Sequence, residues 1–259
     1  MLDQPECPGC GRMVVAPGGG LDLLDDEARH AADRFASSYT ALRKREGWIG
    51  PDGHEEPDRG DPRLWRARLE AMPQVVAALA GLRTGGRPVA LDVGSGGGWA
   101  ARFLGGADVI AIDLLSIDIG DAGLRVRADM CSLPVRDHTV DCVLYIASLH
   151  YAPMDAAIRE AARVLRPAGM LVALDSPMYR DRSARSRASA RSAAYYAGAG
   201  FPELADHYHP IDVAELGAAL AAHGLDEIRL DGGTSADRWW QRLGRRRRPS
   251  FLLARPNPG

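Results

Sequence analysis

The sequence of 259 residues holds a single lysine, Lys44, and a single asparagine, Asn257. Nearly every positive charge is therefore arginine, and chemistry that needs a lysine base or a core asparagine is disfavoured. The four cysteines, Cys7, Cys10, Cys131 and Cys142, are too few to form a disulfide framework at this size, and a reducing compartment suits them. No apolar run approaches the ~18–20 residues needed to span a bilayer. The N-terminus, Met1 to Gly11, is polar and lacks the apolar core of a secretory leader, so the chain reads as cytoplasmic. Charge of one sign is missing too. Lys plus Arg is 32 against 34 for Asp plus Glu, a net charge of −2, which disfavours a globally basic nucleic-acid binder. The chain is long enough to bury a full core without staples.

Residues 1–20 carry Pro5, Pro8, Pro17 and a run of glycines, and predict a loop. Residues 22–46 predict a helix capped by Asp25 or Asp26, with Phe35, Tyr39 and Leu42 on one face. A second helix begins near Pro62. Trp65, Arg68, Leu69, Met72, Val75 and Leu79 mark its apolar side, and Pro73 predicts a kink. From residue 88 the pattern changes. Strand-length apolar runs at 89–93, 109–112, 124–128, 140–146 and 170–174 alternate with helical stretches starting at 98 and 154. That alternation predicts an α/β fold, a parallel sheet with helices on both faces. Asp212 is placed to cap a helix ending at His223-Gly224. Two last strands, 227–230 and 250–254, lack a crossover helix and predict an antiparallel hairpin at the sheet edge. The chain thus divides into a loop segment (1–20), a helical extension (21–87) and a core domain (88–259) with an insertion at 178–210.

The richest segment is Ala90-Leu91-Asp92-Val93-Gly94-Ser95-Gly96-Gly97-Gly98-Trp99. A buried strand runs into a glycine turn and then a helix, which lets a ligand approach the backbone and meet helix N–H groups. A dinucleotide fingerprint would need glycine at position 99, where tryptophan stands. The pattern present is acid-x-G-x-G-x-G at Asp92, Gly94, Gly96 and Gly98. Asp113 ends the second strand, 19 positions past Gly94, where a carboxylate can accept ribose hydroxyls. Ala128-Asp129-Met130 ends the third. Leu133-Pro134 precedes Asp141-Cys142-Val143, and Val164-Leu165-Arg166-Pro167-Ala168-Gly169 precedes the fifth strand.

These ordered segments, spread over residues 88–178, resemble the motifs of the class I S-adenosylmethionine-dependent methyltransferases, with Ala168 in place of a usual glycine. The resemblance implies a Rossmann-like fold with a seven-stranded, mostly parallel sheet, an antiparallel last strand and an N-terminal helical lid. It implies S-adenosylmethionine as cofactor. Gly94, Gly96 and Gly98 would face its methionine and ribose, and Asp92 and the backbone of Ile146 its ammonium. Asp113 with Leu114 would hold the ribose, and Asp129 with Met130 the adenine. The acceptor would be a small molecule of specialised metabolism, methylated on oxygen, nitrogen or carbon. An RNA methyltransferase and a cofactor-binding domain without transfer remain the alternatives.

The amide-methylating run Asn/Asp-Pro-Pro-aromatic is absent after the fourth strand, which reads Ala147-Ser148-Leu149-His150-Tyr151-Ala152-Pro153, and so is a Pro-Cys nucleophile. Cys131 and Cys142 sit in strand-type sequence and read as small core residues. His150 is the best base candidate, since imidazole titrates near neutrality, with Tyr39 beside it as a second catalytic candidate. Tyr39, Arg43 and Trp48 from the extension, His150 and Tyr151 from the loop, and Tyr179, Arg182 and Tyr195 from the insertion are the candidate acceptor-binding residues. Cys7-Pro8-Gly9-Cys10 resembles one knuckle of a zinc ribbon, but no second pair follows, so no metal is expected. Arg245 to Arg248 could touch phosphate or form a solvated loop.

Overall fold

The structure, a computed structural model, describes residues 20–50, 57, 62–82, 84–115, 123–231 and 249–257. Its strands in chain order are β1 (Leu21–Asp22), β2 (Val89–Val93), β3 (Asp108–Asp113), β4 (Leu124–Arg127), β5 (Val140–Ile146), β6 (Leu165–Leu174), β7 (Met178–Tyr179), β8 (Ile211–Asp212), β9 (Leu225–Asp231) and β10 (Phe251–Pro256). Its α-helices are α1 (Asp26–Glu46), α2 (Pro62–Ala80), α3 (Met154–Val164), α4 (Arg182–Ala199) and α5 (Val213–Ala222). Eight strands form one sheet in the order β1-β4-β3-β2-β5-β6-β10-β9. The six from β1 to β6 pair in parallel, and β10 pairs antiparallel to both β6 and β9. The expected edge hairpin is therefore present.

Strand side chains alternate between two buried faces. Leu91, Val93, Val143, Tyr145, Leu171 and Ala173 pack with Ile158 and Ala161 of α3 and Leu216 and Leu220 of α5. Ala90, Cys142, Leu144, Met170 and Val172 point the other way, onto Trp65, Met72, Val75 and Leu79 of α2. With both faces covered, every residue of β5 is buried, as a central parallel strand requires. The apolar stripe of α2 is thus a layer of the core, and α2 continues through Pro73.

The sheet has eight strands where the motifs implied seven. The extra strand is β1, which pairs with the edge of β4 through Leu21↔Val126 and Asp22↔Arg127. Charge fixes it there. The Asp22 carboxylate accepts from Arg29 Nε at 2.9 Å and Arg127 Nη1 at 3.5 Å, and Arg127 Nη2 donates to Asp33 at 2.5 Å. Two residues carry no readable alternation, so the sequence reads them as the start of a helix. That helix begins instead at Asp26, with Asp25 the cap, accepting from Ala28 N at 2.8 Å. β6 begins at Leu165 rather than near Met170, because Arg166 reaches Asp141 at 2.7 Å and the ladder with β5 shifts register between Val140 and Cys142. Asp212 caps α5 as expected, accepting from Ala214 and Glu215 N–H groups.

Candidate active site

The C-terminal ends of β2 to β6 open into one cavity of about 1430 Å³. Its first wall is the glycine turn after β2. Gly94, Gly96 and Gly98 all take positive φ, between 54° and 69°. A Cβ on Gly94 would overlap the Cβ of Ser148, whose hydroxyl donates to Val93 O at 2.5 Å. The turn is thereby welded to the loop after β5. Gly94→Ala is expected to cost about 2–4 kcal/mol, from left-handed strain and overpacking together. A chemical denaturation curve compared with wild type checks it.

The stretch after the turn, where the sequence predicts a helix from 98 to 104, is a five-residue 3-10 turn, Trp99–Phe103. Gly105 and Gly106 end it. So short a turn carries little of the dipole of a full helix. The Asp113 carboxylate accepts from Gly96 N at 2.7 Å and Leu115 N at 2.8 Å. Burial pushes its acid up above the ordinary aspartate range, and backbone donors and Arg127 oppose the shift. Beside it Leu114, Ala128, Asp129, Met130 and Ile146 also line the cavity. Asp129 turns one oxygen to Cys131 N at 2.8 Å. A glycine-rich turn, a carboxylate at the next strand end and a part-apolar slot beyond it have the chemistry to fit an adenosyl group and its ribose.

The second half of the cavity is aromatic. Tyr39 and Tyr151 meet edge to face at 5.8 Å, His150 lies 4.3 Å from Tyr151 and 5.3 Å from Tyr208, and Phe35 lies 4.7 Å from His207. Four elements meet here: α1, the loop after β5, α4 and the 3-10 segment Pro202–His207. Arg43 of α1 lies 4.9 Å from the centre of the Tyr39 ring and donates to Tyr151 Oη and Glu46 Oε2, each at 2.5 Å. Glu46 also accepts from Tyr195 Oη. His150 is 6% exposed, with Nδ1 3.5 Å from Ser176 Oγ, and its carbonyl accepts from His209 N at 2.7 Å. Burial beside His207 pushes the His209 imidazole down. Nearer the glycine turn, Arg68 of α2 lies 4.2 Å from the centre of the Trp48 ring and bonds Asp175 at 2.8 Å.

Of the residues singled out in the sequence, Tyr39, Arg43, Trp48, Gly94, Gly96, Asp113, Leu114, Asp129, Met130, Ile146, His150, Tyr151 and Tyr195 share this cavity. Four do not. Asp92, 1% exposed, lies in β2 beneath the turn. Gly98 lies outside the lining and donates its N–H to Ser95 O at 2.9 Å. Tyr179 is taken into the short pairing of β7 with β8. Arg182 opens α4 at 82% side-chain exposure and sits with Arg185 against Glu215. Cys142 is buried, but Cys131 is half-buried on the cavity wall, where burial and Asp129 push its thiol up to about 12. It is therefore protonated and unreactive at neutral pH. Cys7, Cys10, His54, Trp239, Trp240 and the run Arg245 to Arg248 lie outside the described residues. Among the described residues no group of three or more His, Cys, Asp or Glu is placed to hold a metal, and no helix is long and apolar enough to cross a membrane.

Sequence reasoning missed Arg68 and Asp175. Arg68 had one signal, a charge inside the apolar stripe of α2. Asp175 had none, since its importance rests on a positive φ of 57° at the end of β6.

Residues 91–173 match the family described as a methyltransferase domain. A 27-O-demethylrifamycin SV methyltransferase of Amycolatopsis mediterranei is 35% identical over 121 residues, 39% of this chain and 44% of that protein. The chain spans less than half the length of the curated relatives it matches. Among solved structures, the 1,6-didemethyltoxoflavin-N1-methyltransferase of Burkholderia thailandensis superposes with a TM-score of 0.56 at 18% identity, over 93% of this chain and 95% of that one. The geranyl diphosphate C-methyltransferase of Streptomyces coelicolor A3(2) does so with a TM-score of 0.54 at 14% identity, over 73% and 81%. Residues 91–173 are thus similar to a methyltransferase domain, and the chain shares the fold of the solved methyltransferases on which it superposes.

Proposed function

We propose that this chain transfers a methyl group from S-adenosylmethionine to a small, ring-bearing acceptor of specialised metabolism. The observation that supports this reading is the continuity of the cavity, which joins the glycine turn and Asp113 to the aromatic pocket without a wall between them. The bound sulfonium supplies a methyl group already activated for direct displacement. What the chain adds is alignment, and positioning alone contributes roughly 7–11 kcal/mol in favourable cases. The rings of Phe35, Tyr39, Tyr151 and Tyr208 offer stacking surface for a planar acceptor and keep water out. Arg43, shared between Glu46 and Tyr151, holds the Tyr151 hydroxyl in place. His150 lines the same cavity and is the candidate to take a proton from an acceptor hydroxyl or amine. The acceptors named for the rifamycin and toxoflavin relatives are small molecules, which is consistent with this reading.

The test is incubation with S-adenosylmethionine and a panel of phenols, enols and heterocyclic amines, read by release of S-adenosylhomocysteine and a product mass increased by one methyl. With any accepted substrate bearing an acidic proton, His150→Ala is expected to lower kcat by about 100-fold or more and leave cofactor affinity unchanged. Retained kcat would make His150 a lining residue. Absence of product from every acceptor, with tight cofactor binding, would favour a binding domain without transfer.

A further inference from the structure

The acceptor half of the cavity carries more positive than negative charge. Among the described residues, α1, α4 and the 3-10 segment Pro202–His207 contribute Arg34, Arg43 and Arg191 to its lining against one carboxylate, Glu203. Glu203 already accepts from Ser38 Oγ at 2.5 Å. Of the three arginines Arg43 is the covered one, its side chain 13% exposed. Its ion-pair partner, Glu46, lies outside the lining, with one oxygen on Arg43 Nη1 at 2.5 Å and the other accepting from Tyr195 Oη.

On the cavity side the next group is Tyr151. Arg43 Nη2 donates to Tyr151 Oη at 2.5 Å, and the Tyr151 ring is held edge to face by Tyr39 at 5.8 Å and by His150 at 4.3 Å. A phenol hydroxyl both accepts and donates. Arg43 takes up the oxygen and leaves the O–H to the cavity that Tyr151 lines. A donor on its oxygen polarises that O–H and makes it a stronger donor in turn. Glu46, Arg43 and Tyr151 thus form a chain whose positive end meets the cavity.

This chain discriminates between acceptors. A neutral amine brings N–H groups and gains little from a fixed donor. A phenol or enol that has lost its proton brings an oxyanion, and a charge-assisted hydrogen bond to an oxyanion is about twice as strong as a neutral one. We propose that the Tyr151 hydroxyl, backed by Arg43, binds the ionised oxygen of a phenol or ring enol, which is the acceptor class of this chain. The acceptor O–H bond breaks with its proton passing to His150. The oxyanion then forms the new O–C bond to the methyl group while the C–S bond breaks, its electron pair staying on sulfur. This inference rests on the methyl-transfer reading above and narrows it to oxygen acids, but its test needs no turnover.

The probes are nitrophenols and nitronaphthols, whose anions alone absorb in the visible, with 4-nitroaniline as a neutral amine of similar shape. Each is titrated into the full chain with S-adenosylhomocysteine present. Wild type is expected to hold the phenolate at least about tenfold tighter than the phenol, so that the bound probe ionises at a lower pH than the free one. Tyr151→Phe keeps the ring against Tyr39 and His150. It is expected to lose that preference while binding 4-nitroaniline and S-adenosylhomocysteine within about twofold of wild type. A preference kept in Tyr151→Phe would overturn the inference, as would failure of wild type to bind the nitrophenols, or a bound probe that ionises at unchanged or higher pH. Equal loss of phenolate, 4-nitroaniline and S-adenosylhomocysteine would mean a structural role and overturn it too. The failure of the underlying reading looks different: wild type shows the phenolate preference, yet no acceptor of any class gains a methyl group.

Discussion

Asp113→Ala is expected to weaken S-adenosylhomocysteine by about a hundredfold or more, the loss of a pair of charge-assisted hydrogen bonds. The same carboxylate bonds Gly96 N and Leu115 N, so alanine also frees two covered N–H groups and loosens the turn, at about 1–3 kcal/mol each where water does not replace the bond. Asp113→Asn separates the two effects, since it keeps one oxygen acceptor and the size of the side chain. Affinity should also depend on pH with a definite sign. Burial raises the acid above its ordinary range, while ribose hydroxyls donate best to the ionised form. Affinity is therefore constant above the raised pKa and declines as pH falls through it, at a higher pH than an exposed aspartate would show. The stability of the free protein carries the opposite sign. A carboxyl whose folded pKa is raised favours the folded state below that value and loses the contribution as pH rises through it. A titration series from neutral to mildly acidic pH should show the decline in wild type and its absence in Asp113→Asn. A flat wild-type profile would remove Asp113 from the ribose site.

Much of the cofactor half was legible because its chemistry is local. Strand, glycine turn and strand-end acid are each coded within a few residues, and the period of buried strands is long enough in β5 and β2 to read directly. The acceptor half is different. Phe35, Tyr39 and Arg43 are predictable as one helix face, but their meeting with Tyr151, His207 and Tyr208 depends on how α1 sits over the loop after β5 and the segment after α4. Nothing in the sequence spacing states that contact. Arg182 illustrates the cost of reading by composition. An arginine in an insertion beside tyrosines suggested an acceptor-binding residue, yet it opens a helix and faces Glu215 at the surface. Arg68 is the converse case. Spaced among apolar residues, it is anchored by an acid 107 positions away. The pair exists only because α2 is a core layer of the sheet rather than a detached lid.

That layer is where the largest loss of stability is expected. Trp65 of α2 is fully buried and stands edge to face with Trp48 at 5.6 Å and with Trp99 at 5.1 Å, Trp99 being the residue directly after the glycine turn. Trp65→Ala should cost about 3–5 kcal/mol, a fall in melting temperature on the order of 10 °C for a domain of this size. Because Trp99 loses its partner, S-adenosylhomocysteine should weaken as well, at temperatures where the variant is still folded. Trp65→Phe provides the sharper comparison. The indole N–H of Trp65 is buried with no hydrogen-bond partner among the described residues, so removing it relieves a cost of about 1–3 kcal/mol. Phenylalanine keeps an aromatic face for Trp48 and Trp99 and leaves only a modest void. The phenylalanine variant should therefore lie within about 1.5 kcal/mol of wild type and bind the cofactor product normally. If it were as destabilised as the alanine variant, the indole N–H would have to be bonded, and the packing of α2 on the sheet would need another account than ring against ring.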